Sequence, residues 1–256
     1  MYHFKVMTQY RLNTVIWAVY GFVSLGITLS VWYVNRLNGS LIDFNELITY
    51  IVIGSFYSSA INVWVQEEIS QWIKHGKLVT KILYPTSFIE RYFFEFIGKA
   101  FCAEFLIKCL AYFILLPFVY NYLKPANSLS NIVLTILFVP ISFTIIYLFD
   151  LIIGFISFWI MDYGSVGGIM NLVVDFLKGA FIPLFILFSL SSTFNFLNYL
   201  PFAFLLHHPM QIYLGKYDTN QTILVFLGGL AWCLVLYILA KIVFKLGLKR
   251  NESVGL

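Results

Sequence analysis

Six apolar runs, each long enough to cross a bilayer, constrain this chain more than any other feature. They are approximately Val15–Val34, Leu47–Val65, Phe96–Tyr120, Ile132–Phe158, Ile169–Leu190 and Thr222–Phe244. A helical span needs roughly 20 apolar residues to cross roughly 30 Å of hydrocarbon, with its backbone polar groups satisfied inside the segment. The runs therefore predict an all-α integral membrane protein with six transmembrane helices. Only 11% of the 256 residues are charged, against about 25% in soluble domains, too few to cover a water-facing surface. What lies between the runs is too short to fold separately, so 1–256 reads as a single transmembrane domain. The first run begins after a polar stretch of over ten residues and lacks a small-residue cleavage site. It reads as an uncleaved span rather than a signal peptide.

With the N-terminus inside, Lys5, Arg11, Lys74, Lys77, Lys81, Arg91, Lys241, Lys245, Lys249 and Arg250 fall on the cytoplasmic side. Arg36, Lys124 and Lys216 fall outside. Ten against three follows the positive-inside rule, which predicts that both termini are cytoplasmic. The net charge of +4 is then a topology signal and gives no reason to expect nucleic acid as a partner. Three connecting segments stand out. Residues 1–14 place Phe4, Met7 and Tyr10 at helical spacing, as an interfacial helix would. Residues 66–95 form the longest cytoplasmic loop, interrupted by Gly76 and Pro85. Residues 193–217 are apolar but broken by Pro201 and Pro209, which predicts short helices partly embedded in the outer leaflet. The connection between the fourth and fifth spans is short and carries no Lys or Arg. Contact with a soluble partner is therefore expected at 66–95 and the N-terminal helix.

A charged group inside a span costs about 2.5–3.5 kcal/mol on insertion scales. Glu104 and Lys108 stand at i,i+4 in the third span, and Asp175 and Lys178 at i,i+3 in the fifth. Each pair can neutralise itself on one helix; alternatively, Asn171, Asp175 and Lys178 form a polar transport route. The second span carries Ser55, Ser58, Ser59 and Asn62 beside Gly54, read either as small-residue helix packing or as the wall of an internal cavity. Asp150, late in the fourth span, is expected to reach interfacial water. No catalytic constellation emerges. His207 and His208 are adjacent and point about 100° apart on a helix, so a shared metal is not expected. The three cysteines form no C-x-x-C pair, and neither a zinc-protease motif nor a nucleophile elbow occurs. A phosphate-binding loop would need Gly five residues before its Gly-Lys pair, where Gln71, Phe93 and Met210 stand instead.

Four stretches, in order, are Ile73-Lys-His-Gly76-Lys-Leu78 with Ile82-Leu83-Tyr84-Pro85, then Phe158-Trp159, then Phe176-Leu177-Lys178-Gly179 with Pro183-Leu184, and Leu200-Pro201-Phe202 before Pro209-Met210-Gln211-Ile212-Tyr213-Leu214-Gly215. By their order and spacing, the whole chain resembles the membrane subunits of type-2 ATP-binding-cassette (ABC) exporters. The branch is that of short six-span permeases, often classed as drug or antibiotic exporters. Lys77 and Tyr84 stand where that branch commonly has an acidic residue and an Arg. The resemblance implies a coupling helix between spans two and three that docks on a cytoplasmic ATPase subunit. Glu67, Glu68, Lys74, Gly76, Lys77, Lys81 and Pro85 would belong to that contact. It also implies a central cavity lined by spans two and five, hence by Ser55, Ser59, Asn62, Asn171, Asp175 and Lys178.

A second permease, identical or related, would face the first within the membrane lipid. ATP and Mg would sit on the partner ATPase, leaving no cofactor and no enzymatic step on this chain. The expected location is the bacterial cytoplasmic membrane. The cargo stays open among drug, peptide, lipid and glycoconjugate. The alternative is an ion-coupled secondary transporter using Glu104, Asp150 and Asp175, though the two halves show no clear internal repeat.

Overall fold

The computed structural model describes Val23, residues 26–34, 43–97, Pro117, 119–160 and 163–253, with side chains for all of these except 163–166 and 251–253. The interfacial helix expected at 1–14, most of the first and third spans, and the Glu104–Lys108 pair lie outside the described residues. Within them the chain is helical, with no strand. In chain order the helices are α1 (26–34), α2 (Phe44–Ala60), α3 (Val65–Lys74), α4 (Leu78–Ile82), α5 (88–97) and α6 (Leu129–Phe155). They continue as α7 (Tyr163–Leu177), α8 (Leu184–Leu190), α9 (His207–Tyr213) and α10 (Thr219–Ser253).

Among the described residues, three stretches are apolar and long enough to cross a membrane: Phe44–Lys74, Leu129–Phe158 and Thr219–Arg250. The middle one is the hub. Ser128 caps α6 by accepting the Asn131 N–H, and 27 residues carry the helix about 40 Å. Its most extensive helix contact among the described residues is with α10. Phe138 meets Phe226 at one end, and Phe155 meets Phe244 at the other. Both numbers rise together, so the two helices run parallel. Only 17% of the most apolar stretch of α10 is buried. Leu227, Leu230 and Leu234 point outward, as they should where the surrounding solvent is hydrocarbon rather than water.

The second span corrects the sequence reading at both ends. It begins at Phe44, where Asp43 accepts the Asn45 N–H at 3.1 Å and Glu46 occupies the first turn; both suit a helix N-terminus. It stops at Ala60. The Ser59 hydroxyl donates to the Phe56 carbonyl at 2.7 Å, a local bond that competes with the helix ladder, and Ile61–Trp64 are not helical. Helix then resumes as α3 inside what the sequence presents as a loop. Val65 and Ile69 are fully buried, with Gln66 and Ser70 nearly so, while Glu67, Gln71 and Lys74 face outward. Gly154 of α6 permits the approach: a Cβ there would lie 3.2 Å from the Gln66 Cα and 3.0 Å from the Ile69 Cβ.

The fifth run also differs from expectation. It is not one continuous helix, since α7 ends at Leu177 and the chain turns through Gly179 (φ +85°) and Pro183 before α8. After α8 come 3-10 segments at Ser192–Tyr199 and Pro201–Leu205, then α9. Residues 201 and 203–212 of this segment are buried against the rest of the chain. Ser142 ties the segment to the bundle by donating to the Phe204 carbonyl at 2.7 Å and pairing with the Tyr57 hydroxyl at 2.8 Å. Near Pro85, an aromatic cluster closes the bundle: Phe88 stacks on Tyr92 at 5.8 Å and on Phe244 at 5.4 Å. The Tyr147 hydroxyl donates to the Ile89 carbonyl at 2.8 Å.

At the opposite end, Lys124 sits 3.2 Å from Asp43 and 3.6 Å from Glu46, and Lys216 sits 2.9 Å from Glu46. The Lys124 hydrogen bond holds the Asp43 carboxyl below its ordinary range, and the same bond raises Lys124 above its own. A lowered acid stabilises the fold above its unfolded pKa, and that share is lost as pH falls through the folded value. A raised base stabilises below its unfolded pKa and loses its share as pH rises through the folded value. The cluster should therefore hold from about pH 4 to about pH 10. Both groups are largely exposed, so screening leaves less than about 1 kcal/mol. Melting curves of the wild type and Lys124→Ala should run parallel between pH 5 and 9 and converge as pH falls through the lowered Asp43 value. A separation that stays constant however far the pH is lowered would rule out this assignment.

Candidate functional site

The break between α2 and α3 opens a cavity of about 130 Å³. Its polar wall comes from three places in the chain. Ser58 and Asn62 arrive from the end of α2, Asp150 from α6, and Asn171, Asp175 and Lys178 from α7. Trp64 and Leu205 add apolar surface. Asn171, Val174, Asp175 and Lys178 follow the 3–4 spacing that keeps residues on one helix face, so a single stripe of α7 faces the cavity.

Asp150 is the structural pivot of this wall. It is 3% exposed, so its side chain is packed inside the bundle rather than reaching interfacial water. Its carboxylate accepts the backbone N–H groups of Val65 and Gln66, the first two residues of α3. Trp64, at the N-cap, supplies no side-chain cap; a carboxyl oxygen from another helix takes that role for the first N–H groups of α3. The Oδ2 atom of Asp150 has no hydrogen-bond partner, and neither has the buried Oγ of Ser58. Across the cavity, Lys178 and Asp175 pair at 2.6 Å, and the Gln66 amide donates to the Asn171 Oδ1 at 2.6 Å.

The six candidate cavity residues divide. Asn62, Asn171, Asp175 and Lys178 come together, whereas Ser55 and Ser59 bond back to their own helix, at the carbonyls of Ile51 (2.6 Å) and Phe56 (2.7 Å). Gly54 packs instead on α9, where a Cβ would lie 3.0 Å from Leu206. The sequence reading did not single out Trp64, and it placed Asp150 only among the ion sites of the alternative carrier. For Asp150 a signal was present. No basic residue stands three or four positions away on its helix, so its partner had to come from elsewhere in the fold.

The candidate coupling residues lie around the α3–α4 turn. Glu67, Lys74, Gly76, Lys77 and Pro85 are exposed. Glu68 is half-buried and accepts the Tyr92 hydroxyl at 2.5 Å. The Lys81 ammonium rests 4.8 Å from the Trp72 ring. Gly76 turns the chain with φ +66°, and a Cβ there would meet nothing within 4 Å. Only backbone strain opposes a side chain at this position, so Gly76→Ala should cost about 1 kcal/mol and Gly76→Asn less. Denaturant titration of the two variants checks the order, and equal or reversed losses would refute it.

His207 and His208 are both buried. His208 contacts the Tyr217 hydroxyl at 2.8 Å and the Asn198 carbonyl at 3.0 Å, through separate ring nitrogens. Among the described residues no three His, Cys, Asp or Glu side chains stand together as metal ligands.

A polar pocket at a helix break, inside a bundle whose outer surface is apolar, is an arrangement suited to moving or holding a polar group within a membrane. A family model described as "ABC-2 family transporter protein" matches residues 15–255. No curated protein matches the chain, and no solved structure does. The family match runs through every helix described above, and this multi-pass membrane protein belongs to the ABC-2 family of transporter proteins.

Proposed function

We propose that this chain is the permease subunit of an ATP-driven exporter, crossing the membrane six times with both termini in the cytoplasm. Membership of the family implies an ATPase partner in general, and the observation that carries the transport reading is the polar cavity at the α2–α3 break. Lys74, Lys77, Lys81 and Arg91 crowd the same end of the bundle as Lys245, Lys249 and Arg250. The positive-inside rule makes that end cytoplasmic. The Gly76 turn then projects toward the cytoplasm, with exposed Glu67, Lys74 and Lys77 suited to a charged interface with a soluble partner.

Two permeases, identical or related, face each other around the route. ATP and Mg reside on the ATPase, where hydrolysis occurs, and this chain supplies no catalytic group. ATP binding favours one state of the pair by its differential affinity for the two, and cargo leaves the cytoplasm or the inner leaflet. Affinity purification from the native membrane should bring down an ATPase subunit. Scrambling residues 75–85 should abolish that association without lowering the amount of chain inserted. A chain that purifies alone, and is indifferent to the scramble, is not such a permease. A second reading, an ion-coupled carrier, draws on Asp150 and Asp175 lining one cavity. Transport that continues after the proton gradient is collapsed excludes a proton-coupled carrier.

A further inference from the structure

We propose that the C-terminal end of α10 carries a binding site for the head group of an anionic phospholipid, formed by Lys245 and Lys249. The proposal goes beyond the transport reading and needs only that α10 crosses the bilayer. The outward face of the helix supplies the first observation. From Ile223 to Ile242 the centre of that face is apolar, with Leu227, Leu234 and Ile238 about half exposed or more. Those 20 residues rise about 30 Å, the thickness of the hydrocarbon. Leu227, Leu234, Ile238, Lys245 and Lys249 follow one another at steps of seven, four, seven and four residues. At about 100° per residue, these steps keep all five within about 60° of arc. The helix runs unbroken to Ser253. The two lysines therefore continue the lipid-facing line, within about two turns of where the hydrocarbon ends.

Charge supplies the second observation. Both lysines are exposed, and among the described residues neither is held in an ion pair. Lys241, one turn earlier, differs: it lies 3.9 Å from Glu90 and 4.3 Å from the Tyr237 ring, on the flank that meets α5. The side chains packed against this end of α10, Phe88, Phe155 and Phe158, are uncharged. The nearest acid along the helix is Glu252, one turn past Lys249. Lysines four residues apart on a helix have Cβ atoms about 5–6 Å apart, so both ammoniums can close on one phosphate. Their stems lie along apolar surface while the charges reach the head-group layer. A choline head carries its own cation beside the phosphate, so the pair favours a lipid with net negative charge, by roughly fivefold per lysine. A soluble partner is met instead by residues clear of the bilayer, such as Lys74 and Lys77 at the Gly76 turn.

The test titrates the full chain in dodecyl maltoside with dioleoylphosphatidylglycerol and reads the first bound lipid by native mass spectrometry. Saturable binding is expected, with dioleoylphosphatidylcholine about tenfold weaker or more. Changing both Lys245→Gln and Lys249→Gln should weaken phosphatidylglycerol binding about tenfold or more, and Arg at both positions should restore it. Lys74→Gln with Lys77→Gln should change it less than about twofold. The lipid-free thermal midpoint of each variant checks that the fold is spared, as expected for exposed side chains. Affinity unmoved by the paired Gln changes overturns the proposal, and so does equal affinity for the two lipids. Competition by glycerophosphoglycerol as strong as that by the whole lipid would mark a soluble-anion site and overturn the lipid assignment. Glu252→Gln should alter affinity less than about twofold. A tenfold gain would show that Glu252 already neutralises Lys249, and would overturn the two-lysine site. The assay contains no ATPase, so its failure leaves the permease reading intact, and a failed copurification leaves the binding result intact.

Discussion

Asp150→Ala should destabilise the chain by about 3 kcal/mol, the largest loss expected from any side-chain truncation described here. The carboxyl group accepts two backbone N–H groups of α3, and a buried donor left without its acceptor costs about 1–3 kcal/mol. Truncation removes the acceptor of both donors at once. Asp150→Asn keeps an acceptor oxygen and should lose only about 1 kcal/mol. Unfolding titrations in mixed micelles would separate the two variants, and hydrogen exchange would report on the cap directly. The Val65 and Gln66 amides should exchange faster in Asp150→Ala while those of Val52 and Ile53, in the middle of α2, stay protected. An Ala variant as stable as the wild type would mean that α3 is held by packing alone.

Gly179→Ala should lose about 2–4 kcal/mol for two separable reasons. A left-handed backbone costs an L-residue about 1–2 kcal/mol, and Gly179 sits at φ +85°. Overpacking typically adds about 1–3 kcal/mol. A Cβ here would lie 2.9 Å from the Tyr50 hydroxyl and 3.1 Å from the Leu184 backbone nitrogen. The backbone at Leu184 begins α8 and cannot yield cheaply. Gly76 shares the positive φ without the crowding, so the difference between Ala at 179 and Ala at 76 isolates the steric part. Losses of the same size at both positions would show that the crowding is relieved. Because Gly179 follows Lys178, the same change should also disturb the ion pair with Asp175.

The long helices were legible because length and apolarity suffice to recognise them. Leu129–Phe155 covers the expected Ile132–Phe158 run except for its last three residues, and Thr219–Ser253 contains the expected Thr222–Phe244 run. The breaks were less legible. Gly179 and Pro183 are strong punctuators, yet a run of apolar residues reads straight across them. Residues 66–74 read as part of a long loop from residue types alone, and a helix there came only from the family resemblance. The helical signal lay in the Val65, Ile69, Ile73 spacing beneath the charges of Glu67, Glu68 and Lys74. Spacing alone assembled the α7 stripe of Asn171, Asp175 and Lys178, since one helix carries it. It did not identify Asp150 as the cap of a helix some 80 residues earlier, because only the packing of α3 on Gly154 brings them together. Nor did it split Ser55 and Ser59 from Ser58 and Asn62. In a helix a serine can satisfy itself on the preceding turn, and the polar residue type does not reveal which serines do.

The separation between α3 and its cap also sets an order of events during synthesis. Gln66 leaves the ribosome 84 residues before Asp150 and 105 before Asn171, and Tyr57 precedes Ser142 by 85. At about 5–20 residues per second, the start of α3 waits roughly 4–17 s for its carboxylate. During that interval the early helices are made but the polar wall has neither its acid nor its amide. The nascent chain can meet this in two ways: α3 stays at the membrane surface until α6 is inserted, or an insertion factor shields it. Assembly of the cavity is thus a late event, and truncating the chain before Asp150 should leave α3 open to proteolysis.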